Sequence, residues 1–191
     1  YYLASRELAQ LTKPVVILVG GASGVGKSAV AAELGRRFGI DRIIGTDAIR
    51  EIMRFMVPPG LIPVLHESSF TAGDVVTESL VEEPLLYGFG QQATLVCQGV
   101  RAYIERTRKE GLNAVINGVH LVPGHGNLPI ETDDLYVFYY IVHLDDRESH
   151  MQRFHLRAGS SPRNPERYTD CIDEIRRIQA YVRSMAEEHH V

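Results

Sequence analysis

Val15-Val16-Ile17-Leu18-Val19 leads straight into Gly20-Gly21-Ala22-Ser23-Gly24-Val25-Gly26-Lys27-Ser28, and the helical run AVAAELGRRF follows. From Gly21 onward this is G-x-x-x-x-G-K-S, set between a continuously apolar stretch and a helix start. That is the context a phosphate-binding P-loop requires. Glycines at 21, 24 and 26 let the main chain curl so that several N–H groups face one anion. The helix beginning at Lys27 adds its positive end. Lys27 can bridge the outer phosphates and the Ser28 hydroxyl can ligate Mg²⁺. A glycine-rich turn that matches by chance is the competing explanation. It is disfavoured by the flanking strand and helix. The ligand class read here is therefore a nucleoside triphosphate with Mg²⁺, held by Gly21, Ala22, Ser23, Gly24, Val25, Gly26, Lys27 and Ser28.

Composition sets the bounds. The chain has 191 residues, 45% hydrophobic and 23% charged, which suits one soluble domain with a full core, residues 1–191. Net charge is −4, so neither nucleic acid nor an anionic membrane is an expected partner, and anion binding has to come from local clusters. The two cysteines, Cys97 and Cys171, form no C-x-x-C pattern and read as buried thiols in a reduced, cytoplasmic compartment. No apolar run approaches membrane-spanning length, and the N-terminus does not read as a signal peptide. Tyr1 in place of Met fits a trimmed start. The sequence carries no signal for oligomeric state.

The pattern along the chain alternates. Residues 3–11 read as a lead-in helix, Val15–Val19 as a buried strand, Lys27–Phe38 as a helix stopped by Gly39, and Arg42–Gly45 as a second strand. Thr46 or Asp47 is expected to cap the helix AIREIMRFM, which Pro58-Pro59-Gly60 ends. A long helix is expected from Leu86 to Lys109, then strands at Asn113–Asn117 and Leu135–Leu144, a helix at Asp145–Arg157, a break at Ala158–Pro165 and a last helix at Tyr168–Glu187. Strand and helix in alternation argue for an α/β fold, a three-layer P-loop NTPase with a parallel sheet, of nucleoside- or nucleotide-kinase-like build with an arginine lid.

Other residues fall around the nucleotide. Asp47 follows the second strand at the carboxyl edge of the sheet, where open α/β folds bind ligands. A carboxylate there can orient an acceptor hydroxyl, take its proton, or reach Mg²⁺ through water. Arg50 and Arg54 share its helix face and suit a small anionic substrate. His66, Ser68 and Ser69, in the irregular stretch after Pro63, offer small polar contacts, as does His120 after the third strand. Gln91 and Gln92 are candidates for the same cleft. Arg153, Arg157, Arg163 and Arg167 flank Gly159-Ser160-Ser161-Pro162. Arginines around such a hinge can close over a triphosphate, with Arg153 on the nucleotide and Arg157 and Arg163 on the transferring group. Asn117 ends a strand where P-loop proteins carry an acid for Mg²⁺. His120, His125 and His143 make no metal-binding motif.

Together these stretches resemble the 2-phosphoglycerate kinase family. The matches are GGASGVGKS at 20–28, GTDAIREIMR at 45–54, LHESSF at 65–70, GVHLVPG at 118–124 and the RF-x-x-R segment at 153–157. The resemblance implies transfer of the ATP γ-phosphoryl group to 2-phosphoglycerate, a five-stranded parallel sheet and a lid. It also implies an acid before GVHLVPG, where this chain has Asn117, and a further strand after the last helix, where the chain stops at Val191. Two rival readings use the same motifs: a kinase of another acceptor, such as an inositol phosphate, sugar phosphate or nucleotide sugar, and a regulatory module that holds ATP without transferring phosphate.

Overall fold

The computed structural model describes Leu8 and residues 11–77, 80–128, 132–158 and 165–191. Four strands make one parallel sheet: β1 (Val15–Gly20), β2 (Ile43–Gly45), β3 (Ala114–Gly118) and β4 (Tyr136–Ile141), in the order β2-β3-β1-β4. Both inner strands are buried along their whole length, which explains their unbroken apolar sequence. The resemblance implied five strands; the described residues form four.

Alternation along β1 splits the core into two layers. Val15, Ile17 and Val19 pack with Val115 under helix α1 (Lys27–Phe38), through Ala31 and Leu34. Val16 and Leu18 face the other way with Ile116, against Ile49 of α2 (Thr46–Met56) and Val96, Val100 and Ile104 of α3 (Pro84–Lys109). A third cluster joins Phe89 and Ala93 of α3 to Phe154 of α4 (Arg147–Ala158) and to Ile172, Ile175, Ile178 and Val182 of α6 (Ile172–Glu188). Helices therefore cover both faces of the sheet, as the alternating pattern predicts. Among the described residues no helix is long and apolar enough to cross a membrane.

Several boundaries differ from expectation for local reasons. α3 starts at Pro84, because proline suits the first helical turn, and ends in Arg106, Arg108 and Lys109 against its negative end. Its 26 residues span about 39 Å. The last helix is two: Glu166–Thr169 (α5) and α6, with Asp170 and Cys171 between them. Cys97 is buried, with its thiol pushed up to about 12 by burial, but Cys171 is only half-buried, contrary to the expectation of two buried thiols. The lead-in helix at 3–11 lies outside the described residues except for Leu8 and Leu11. Thr46 does not cap α2 with its side chain; Gly45 occupies the cap position, and the Thr46 hydroxyl is directed to His120 instead.

A close approach fixes how α3 meets the segment before it. Gly88 lies so near the short helical turn Ala72–Val75 that a Cβ would overlap the Ala72 carbonyl oxygen. Gly88→Ala should lower unfolding stability by about 1–3 kcal/mol, the usual effect of overpacking. A reduced urea midpoint, with ATP affinity of the folded protein within about twofold of the parent, is the expected result.

Candidate active site

The strands end together, and that builds the site. Gly20 pairs with Gly118, Val19 with Asn117, and Gly45 with Asn117. The glycine loop, Asn117 and the start of α2 thus lie side by side at the carboxyl edge, where strand order reverses. Gly26 caps α1 in the left-handed region at φ 104°, no side chain caps the helix, and its first turn holds no acid. The Ala29 and Val30 amides turn back to the Gly26 carbonyl at 3.1 Å, and the positive end of the helix that they begin favours an anion. Lys27 folds back so that Nζ donates to the Ala22 carbonyl at 2.7 Å. Ala22 and Val25 are buried and contribute main chain.

A cavity of about 820 Å³ opens over this edge. Ser23, Gly24, Lys27 and Ser28 line one wall. Ser28 Oγ donates to Asn117 Oδ1 at 3.2 Å, while Asn117 Nδ2 donates to the Ile44 carbonyl at 3.4 Å. The Asn117 amide is therefore turned with its oxygen toward Ser28. Asp47 lines the same cavity from the first turn of α2. A hydroxyl, an amide oxygen and a carboxylate are hard oxygen donors of the kind Mg²⁺ takes. Among the described residues no group of three or more His, Cys, Asp or Glu could hold a metal alone. An ion here would draw its remaining ligands from water and phosphate.

The opposite wall is cationic. Arg50, Arg54, His66, Ser68 and Ser69 all line the cavity, as the sequence predicts, together with Arg167 and Glu51. With Lys27, four permanently cationic side chains face two carboxylates, in a chain of net charge −4. Arg50 Nη1 donates to the carbonyls of Leu65, at 3.1 Å, and Glu67. Its Nε is buried and has no partner among the described residues, so a donor in this wall awaits an acceptor. Arg54, half-buried, pairs with the exposed Glu51 at 3.0 Å, an ion pair of the solvent-facing kind that contributes little stability. His66 Nε2 donates to the Val57 carbonyl at 2.8 Å.

A stack of rings joins the glycine loop to this wall, and sequence reasoning missed it. His150 Nε2 donates to the Ser23 carbonyl at 2.7 Å. His150 stacks on Phe154 at 5.4 Å, Phe154 on Tyr168 at 5.0 Å, and Tyr168 meets the edge of Phe70 at 5.5 Å. A Cβ on Gly24 would overlap the Phe154 ring, so the ring rests directly on the loop. Arg167 lies over Phe70 at 5.8 Å and donates to Ser68 Oγ at 2.7 Å. The spacing of His150 and Phe154, four apart on a helix, was the available signal.

Other expectations need correcting. His120 does not line the cavity; it is 1% exposed and held by Thr46 and Gln92 behind the wall. Gln92 is buried beside it, and Gln91 faces a separate cavity with Tyr87 and His125. Arg153 does not line the cavity but touches the glycine loop itself, where Nη1 donates to the Val25 carbonyl at 2.7 Å. Arg157 lies in α4 with its side chain outside the described residues, and Arg163 is outside them altogether.

A glycine loop between a buried strand and a helix, at the switch point of a parallel sheet with helices on both faces, is the fold of a P-loop kinase. The chain's relatives agree. It is 42% identical over its full length to the 2-phosphoglycerate kinase of Pyrococcus furiosus, covering 62% of that protein. It is 43% identical to that of Thermococcus kodakarensis, covering 64% of it, and 38% identical over 97% of its length to that of Methanopyrus kandleri, covering 57%. The chain thus spans about six-tenths of the length of the curated relatives it matches, and the resemblance read from its motifs is borne out. No protein-family model matches. Among solved structures, a shikimate kinase from Acinetobacter baumannii in complex with shikimate aligns with a TM-score of 0.49 at 18% identity, over 96% of this chain and 83% of that one.

Burial lowers the pKa of His120 from 6.5 to about 4, and it lowers those of His125 and His150 too. As pH falls below 6.5 the unfolded chain takes up protons that the folded protein refuses. The stability these groups contribute is therefore complete above 6.5 and is lost on acidification, for His120 down to about 4. His120 should contribute a slope on the order of 1 kcal/mol per pH unit between 6.5 and about 4, and His125 and His150 act in the same direction. Urea midpoints measured between about pH 7 and pH 5 should fall steadily; a flat profile would mean these rings are hydrated.

Proposed function

We propose that this chain is an ATP-dependent phosphotransferase domain that moves the γ-phosphoryl group to a hydroxyl of a small anionic acceptor. The acceptor favoured by the names of its homologues is 2-phosphoglycerate, giving 2,3-bisphosphoglycerate. The observation that carries this reading is one cavity with a triphosphate loop on one wall, an arginine wall opposite, and Asp47 between them.

In this reading the loop amides and Lys27 hold the β- and γ-phosphates of ATP. Arg50, through its unpartnered Nε, and Arg54, released from Glu51, hold the anionic groups of the acceptor. Asp47 accepts a hydrogen bond from the acceptor hydroxyl and aims its oxygen at the γ-phosphorus. The new O–P bond forms as the bond to the β-phosphate oxygen breaks. The hydroxyl proton passes to Asp47, and ADP leaves. Ser28, Asn117 and, through water, Asp47 would hold Mg²⁺, which supplies charge neutralisation on the phosphate oxygens. Arg167 is placed to neutralise charge from the α5 side, alongside the lid arginines of the sequence reading. Positioning and charge stabilisation account for the chemistry.

A coupled ADP-release assay with ³¹P NMR of the product tests this directly. ADP should appear in the presence of 2-phosphoglycerate and not with inositol phosphates or nucleotide sugars. Lys27→Ala should reduce kcat/KM by about 10²-fold or more, and Asp47→Asn should cut kcat by a similar factor while sparing ATP affinity. An Asp47→Asn variant that loses only ATP affinity would move Asp47 from the acceptor to the metal.

Asn117 favours the regulatory-module reading, since an amide lacks the charge of the acid expected there. If the chain is a catalyst held back by that amide, Asn117→Glu should raise kcat several-fold. Tight ATP binding without ADP release, in parent and variant alike, would establish the module instead.

A further inference from the structure

Behind the arginine wall three buried polar side chains run in a line. Thr46 immediately precedes Asp47, and its Oγ1 lies 2.8 Å from His120 Nδ1. His120 Nε2 lies 3.1 Å from Gln92 Oε1. Gln92 Nε2 donates to the Val64 carbonyl and, at 3.0 Å, to that of Glu67. None of the three is more than 1% exposed.

The direction of every hydrogen in this line is forced. Carbonyls only accept, so the Gln92 amide nitrogen faces Val64 and Glu67, and its oxygen faces His120. His120 must then donate from Nε2, which leaves Nδ1 to accept from the Thr46 hydroxyl. One neutral tautomer satisfies the whole chain. Arg50, from α2, donates to the same Glu67 carbonyl and to that of Leu65. Residues 64–67 belong to no strand, and only a single 3₁₀ turn at Pro63–Leu65 orders their main chain locally. They are held from outside, by α2 through Arg50 and by α3 through Gln92, and they carry His66 with Ser68 just beyond.

We infer that His120 is a positioning residue. With Thr46 and Gln92 it ties the helix that presents Asp47 to the segment that presents His66 and Ser68, so that the carboxylate and the acceptor contacts keep one spacing. The functional half of this inference rests on the reading of the cavity as an acceptor site. Apolar side chains would fill the same space without setting a distance. A fully satisfied polar line has one geometry and is destabilised by any other.

Thr46→Val keeps the shape and removes the hydroxyl, Thr46→Ser keeps the hydroxyl, and Gln92→Met removes the donors to the loop at similar volume. Amide hydrogen exchange, ATP affinity and acceptor KM with 2-phosphoglycerate are measured on each. Thr46→Val and Gln92→Met should raise exchange in residues 64–70 and acceptor KM about tenfold, with exchange across α1 and ATP affinity unchanged; Thr46→Ser should restore both. Parent-like exchange at 64–70 in both removing variants overturns the tie. Raised exchange with parent-like acceptor KM, or ATP affinity weakened as much as acceptor KM, overturns the positioning role. A parent chain that binds ATP and phosphorylates no acid overturns the acceptor reading instead, and the exchange data alone then decide the tie.

Discussion

Parallel pairing of β1 with both β3 and β4, and of β3 with β2, stops the strands at one level, and every feature of the site hangs from that level. Because Gly20 sits against Gly118 and Gly45 against Asn117, the glycine loop, the Ser28–Asn117 contact and the first turn of α2 emerge as neighbours. A slip of one residue would turn Val16 and Leu18 out of one core layer and into the other. The two apolar layers on either side of β1 therefore hold the active-site geometry as well as the fold.

Electrostatics then divides the cavity. The chain as a whole is acidic, so positive potential has to be concentrated in one place. Two devices do this. The unblocked N-terminus of α1 offers amides and a dipole end at no cost in side-chain entropy. The arginine wall offers guanidiniums already partly fixed, Arg50 by two carbonyls and Arg167 by Ser68 and the Phe70 ring. Glu51 holds Arg54 against the wall, which restricts its rotamers in advance of any ligand.

The nucleotide half of the site was legible in the sequence because its chemistry is local. A glycine loop, its lysine and its serine are contiguous, and the flanking hydrophobic periods identify strand and helix. Asp47, Arg50 and Arg54 were legible for the same reason, being consecutive turns of one helix. What sequence reasoning placed wrongly depends on tertiary direction. His120 and Gln92 lie 28 residues apart and share a buried line that no periodicity announces. Thr46 read as a cap because a threonine before a helix commonly is one. Here a buried ring nitrogen competes for its hydroxyl, and that partner is visible only once β3 is set beside β2. The ring stack from His150 to Phe70 spans three separate segments, so only its first pair had a sequence signature.

One division of labour follows from these contacts. His120 and His150 lie beside Lys27, Arg50, Arg153 and Arg176, and burial drives both rings toward the neutral form. Desolvation dominates in both His120 and His150, and the neighbouring cations act in the same direction. The neutral rings serve as struts instead: His150 props the glycine loop at Ser23, and His120 spans the gap between α2 and α3. Charge is left to lysine and arginine, whose protonation does not change near neutrality. The groups that charge the cavity are thereby distinct from the rings that hold its shape.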